Sequence, residues 1–204
     1  MSFKKVSMGM AIALALSAGS AVAAVPGDTG TITFHGMVSN TTCKVSLDQK
    51  IDQSGNDFDV TLDTVSVADF GTTALGTTST LGEKKFSLSL TGCDTETAKK
   101  ASAQFSSWAG SSSTEGGLLV PPSNAQGSAK NVNLVLSNDG NSATDQIKID
   151  QTNNTQKATI DATSGAGNLY YRVAYTQGQG WDATTNPVSA GTVQAQVAFT
   201  MIYE

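Results

Sequence analysis

From Val193 to Tyr203 every second residue is apolar: Val193, Ala195, Val197, Phe199, Met201 and Tyr203 share one parity. Strict alternation of this length fits only a strand with one face on a core. The same pattern recurs in short pieces. Residues 58–62 alternate from Phe58 to Leu62, with Val65 and Val67 as a continuation, and residues 86–90 run from Phe86 to Leu90. Residues 132–136 and 169–175 also read as strands, the second placing Leu169, Tyr171, Val173 and Tyr175 on one side. Weaker strands are read at 103–106 and 147–149. Turn residues separate these pieces, most clearly Asn138-Asp139-Gly140-Asn141, where Asn, Asp and Gly tolerate positive φ. Helix-forming runs are missing after the first segment, apart from a short turn near Thr95 to Lys100. Seven or so strands at this spacing predict an all-β sandwich of two sheets.

The first residues stand apart. Lys4 and Lys5 precede an apolar run from Met8 to Leu16, and Ala21-Val22-Ala23 follows with small residues. This is the plan of a secretory signal peptide over residues 1–23, cleaved after Ala23 or, one residue on, after Ala24. The run is too short to span a bilayer. The formal charge of −5 becomes two units more negative without Lys4 and Lys5, so nucleic acid is an unsuitable partner. Export also decides the reading of Cys43 and Cys93. In an oxidising compartment two cysteines 50 residues apart form one disulfide, worth about 4 kcal/mol on chain-entropy grounds.

Signals for chemistry are weak. His35 is the only histidine, and no Gly-x-Ser-x-Gly is present, so no catalytic triad can be drawn. Asp48, Asp52, Asp57, Asp59 and Asp63 lack the spacing of a calcium loop and read as a solvated face. Asn40-Thr41-Thr42 and Asn153-Asn154-Thr155 fit a glycosylation sequon by chance. Trp108 and Trp181 read as core residues in preference to sugar platforms. No cofactor or metal is expected, and enzyme activity ranks last among the functional classes.

Several motifs, in order, carry a family resemblance. Gly30-Thr31-Ile32-Thr33-Phe34-His35-Gly36-Met37-Val38 with Thr42-Cys43 resembles the N-terminal signature of chaperone–usher pilus subunits of the type 1 major-pilin kind. The segment 88–94 around Cys93, the strand and turn at 131–140, and the ending Gly191-x3-Ala195-x3-Phe199-x3-Tyr203-Glu204 resemble the same family. Residues 110–129 and 143–167 lie outside these motifs.

The resemblance implies an incomplete immunoglobulin-like β-sandwich that lacks its last strand and is completed by donor-strand exchange. Residues 24–36 are then the donor extension and residues 37–204 the domain. Gly30, Ile32 and Phe34 would enter a neighbour's groove, and each large apolar side chain buried there is worth about 1.5–3 kcal/mol. Phe199, Met201, Tyr203 and Glu204 would form the strand that a periplasmic chaperone contacts. The implied partners are copies of itself or related subunits, the chaperone and an outer-membrane usher. The implied location is a fimbrium on the bacterial surface, reached through the periplasm. The role is a structural subunit supporting cell adhesion, or alternatively a minor adaptor or adhesive tip subunit.

Overall fold

The computed structural model describes residues 43–48 and 57–204, which fall in the unit His35–Glu204. Among them ten strands form two antiparallel sheets, as the alternation predicts. They are β1 (Lys44–Leu47), β2 (Leu81–Thr91), β3 (Lys100–Trp108), β4 (Ser112–Ser113), β5 (Leu119–Val120), β6 (Val132–Asn138), β7 (Gln146–Ile147), β8 (Ala158–Thr159), β9 (Gly167–Gln177) and β10 (Gln196–Tyr203). The larger sheet has the order β1-β2-β9-β6-β5-β4, with β7 also on β6; the smaller has the order β10-β3-β8.

The inward parities meet between the sheets. Leu88, Leu134, Leu136, Leu169 and Tyr171 face Ala103 and Phe105 of β3. Phe105 meets the Tyr171 ring edge-on at 5.2 Å, so one aromatic contact ties the sheets together at mid-core. A second cluster, Leu90, Cys93, Ala98, Ala101 and Ile160, closes the disulfide end. A third, Phe70, Val132 and Val188, closes the other.

Cys43 and Cys93 are joined, and β1 lies on β2 in the register Lys44↔Thr91, so the bond staples an edge strand only four residues long. β1 ends before Asp48, where φ is 47°: the Asp48 N–H still donates to the Ser87 carbonyl at 2.9 Å, but its carboxylate takes over as acceptor from the Ser87 N–H at 2.7 Å and the Ser87 hydroxyl at 3.1 Å. Two sequence readings shift here. Val67 does not extend the strand at 58–62. Ser66 and Asp69 form a capping box that turns Val67–Phe70 into a 3₁₀ helix, leaving Val67 exposed and sending Phe70 into the core. Trp108 is not a core residue; at the end of β3 it is 40% exposed.

The turn after β6 sits two residues later than its sequence suggests. Asn141 and Ser142 both have positive φ, and Gly140 and Ala143 exchange both backbone hydrogen bonds around them. Beside this turn lies a polar network with no apolar period to announce it. Gln156, fully buried, accepts from the Tyr170 N–H at 2.7 Å and donates to the Tyr170 carbonyl at 2.7 Å and to Asn138 at 2.9 Å. Its side-chain amide thus acts as a strand segment and satisfies buried groups that would otherwise cost about 1–3 kcal/mol each.

Candidate functional site

β10 carries the alternation that opens the sequence reading, and the structure keeps its parity. Val197, Phe199 and Met201 turn toward the main core, and Tyr203 packs on the disulfide-end cluster. One edge of β10 pairs with β3 over eight residues, from Gln196↔Trp108 to Tyr203↔Ala101. Along the other edge no described residue forms a ladder. The contrast with β6 is sharp. All seven residues of β6 are buried, whereas β10, richer in apolar residues, has none that is fully buried.

A second extended piece faces the same core. Phe58, Val60, Leu62 and Val65 are half-buried, and Asp57, Asp59, Thr61 and Asp63 between them are exposed. This is the burial of a strand. Yet residues 57–65 belong to no sheet, and no described residue hydrogen-bonds their backbone. Phe58 stacks on Phe199 with ring centroids 5.9 Å apart and planes 16° apart, bringing the segment to β10. The arrangement therefore offers two pieces whose backbone donors and acceptors along these edges are unpaired among the described residues, over a half-covered apolar floor. Such an edge is a template for another strand, whose backbone would satisfy both rows and whose side chains would cover the floor.

The end of β10 is anchored. The Glu204 main-chain oxygen accepts from the N–H groups of Lys99 (2.6 Å) and Lys100 (2.8 Å), and its side chain bonds the Lys157 ammonium at 2.7 Å through both oxygens. The Lys157 bond and charge hold the Glu204 carboxyl below its usual range. Burial pushes the Tyr203 hydroxyl up. These contacts anchor the end of the strand and leave unpaired, among the described residues, the edge opposite β3.

A family model described as "Fimbrial protein" matches residues 32–204, the length that holds β10, residues 57–65 and the disulfide. The chain belongs to the fimbrial protein family. Among its relatives, the probable major fimbrial subunit LpfA of Escherichia coli O157:H7 is 31% identical over 94% of this chain and 93% of its own length. Long polar fimbria protein A of Salmonella typhimurium is 30% identical over 98% and 97%. The crystal structure of the P pilus rod subunit PapA aligns with 85% of this chain and all of its own at 14% identity and a TM-score of 0.41.

In this fimbrial chain the structure brings together Phe199, Met201 and Tyr203 of the predicted contact strand, with Glu204 at its end. Gly30, Ile32 and Phe34, the signal segment 1–23, His35, Asn40 and Asp52 lie outside the described residues. Phe58, Val60 and Leu62 were legible as a strand, but nothing in the sequence assigns them to the floor of an open edge; that follows only from the Phe58–Phe199 stack. Trp181 is half-buried beside the Phe70 cluster. Among the described residues no acidic or histidine group could hold a metal ion, and no helix is long and apolar enough to cross a membrane.

Proposed function

We propose that this chain is the structural, polymerising subunit of a surface fimbria, with residues 24–36 of each copy completing the sandwich of the next. The observation that carries the reading is the pairing of a half-buried C-terminal strand with a segment at 57–65, neither of which has a ladder along the facing edge among the described residues. One strand laid between them would satisfy both backbones and cover Phe199, Met201, Phe58 and Val60. Ile32 and Phe34 on one parity, with Gly30 where the strand must pass closely, suit that strand. Donor and acceptor are different surfaces of one molecule, so the contact is heterologous and propagates as an open filament.

Before assembly the same edge needs cover, and a periplasmic chaperone lending a strand of its own supplies it. Phe199, Met201 and Tyr203 are its contact strand in this reading, and Glu204 is a further contact once released from Lys157. An outer-membrane usher then exchanges the chaperone's strand for the next subunit's extension. The driving force is the fit of Ile32 and Phe34 into the floor, with no nucleotide, metal or catalytic group involved. The names of the relatives, one of them a probable major fimbrial subunit, favour the abundant rod component over a minor adaptor or tip subunit. Phe34→Asp tests the reading: the chaperone complex should accumulate normally while fibre formation stops. Normal fibres from this variant would overturn the donor assignment, and a protein that is rare in sheared filaments would overturn the rod assignment.

A further inference from the structure

Residues 143–167, outside the family motifs, build one wall of a polar cleft of about 430 Å³ on the side of the larger sheet. At its centre is Tyr170, which points outward from β9 and is 41% exposed, while Leu169 and Tyr171 on either side are fully buried. The ring is braced from beneath. Gly140 lies so close that a Cβ there would stand 2.6 Å from a Tyr170 ring carbon. The Tyr170 backbone is gripped on both its N–H and its carbonyl by buried Gln156. Asn141 is tied to Gln156 at 3.0 Å and to the Asn168 carbonyl at 2.8 Å.

The cleft is thus rigid, and several of its polar groups are unspent. The side chains of Asn168, Ser142 and Thr159 and the Tyr170 hydroxyl line it, and none hydrogen-bonds a described residue. Its charge is neutralised as well. No carboxylate lines it, and its one cation, Lys157, is engaged by both Glu204 oxygens. An exposed phenol ring beside amide and hydroxyl groups, with no free charge, matches a ligand that is apolar on its flat face and hydroxylated at its rim. That is the chemistry of an uncharged sugar ring and not of a phosphate or an amine.

We propose that this cleft binds a neutral saccharide, with Tyr170 as the platform under a pyranose ring and Asn168, Ser142 and Thr159 bonding its hydroxyls. The site needs only the folded subunit. Its benefit in a fibre rests on the polymer reading above, since repeated copies convert weak single contacts into avidity. The test passes the purified full chain over an array of neutral and sialylated oligosaccharides, with saturation-transfer NMR on the neutral saccharides retained. The expected result is retention of neutral saccharides, lowered at least tenfold by Tyr170→Ala and by Asn168→Ala and largely kept by Tyr170→Phe. Thermal midpoints check that each variant is folded; if Tyr170→Ala is not, Asn168→Ala, whose side chain supports no other residue, decides. No retention by the unaltered chain, retention unchanged in Asn168→Ala, or a preference for sialylated saccharides would each overturn the proposal. None of these outcomes touches fibre assembly, so this inference and the polymer reading fail separately.

Discussion

At the scale of the residue, small groups decide what the strands alone leave open. The Cys43–Cys93 bond holds a four-residue edge strand to β2. Replacing both cysteines by serine should lower unfolding free energy by about 2–5 kcal/mol, read from urea titration. Gly140 has a similar role without a covalent bond. Gly140→Ala drives a methyl into the Tyr170 ring and should cost about 1–3 kcal/mol in the same titration. Several aspartates predict an acid dependence. The Ser113 hydroxyl, with the N–H and hydroxyl of Ser107, holds the Asp150 carboxyl below its usual range. The Ser164 and Thr163 groups do so for Asp161, and Thr185 and Thr184 for Asp182. Their folded values lie below the unfolded ones, so the stability they contribute is complete above the ordinary aspartate range, about pH 4, and fades as pH falls through the lower folded values. Asp150→Asn should flatten that acid limb in thermal melts recorded from pH 5 to about pH 2; an unchanged limb would count against it. Apart from the disulfide, none of these roles was legible in the sequence. Disulfide formation was, because it follows from export and cysteine count, but the polar network of Gln156 and Asn138 has no period and became visible only when the strands were placed.

At the scale of the element, alternation proved informative about faces and silent about edges. It located β2, β6, β9 and β10 because Phe86 to Leu90, Val132 to Leu136, Leu169 to Tyr175 and Val197 to Tyr203 each put apolar groups on one side. It missed β4, β5 and β8, which are two residues long and too short to show a period. It also read residues 58–62 as a strand. Their burial agrees, but alternation reports the side chains' core face and not the backbone's partner, and the partner is what is missing among the described residues. The Phe58–Phe199 stack is the measurable link between this segment and β10. A double-mutant cycle with Phe58→Ala and Phe199→Ala should give a coupling of about 0.5–1.5 kcal/mol, and additive losses would place the segment elsewhere in solution. A charge at Phe199 or Tyr203 should lower the amount of subunit recovered from the periplasm if these residues form the contact proposed for a chaperone; unchanged recovery would count against that contact.

At the scale of the whole molecule, a two-sheet fold whose apolar C-terminal strand carries no ladder on one edge among the described residues suits the company we propose for it, a strand from another subunit. The family membership gives that company a class, and the placement of residues 57–65 beside β10 gives it an address. The sequence carried the class through its terminal motifs but not the address, which needs both pieces in space. Removal of residues 24–34 should leave a subunit that still forms the proposed chaperone complex but never elongates, seen as an absence of filaments by negative-stain microscopy. The most direct measurement is an electron cryomicroscopy map of the fibre at side-chain resolution. The account predicts a strand between β10 and residues 57–65 whose side chains are Ile32 and Phe34 of the neighbouring subunit. An empty gap there, or one filled by the same subunit's own residues, would contradict it.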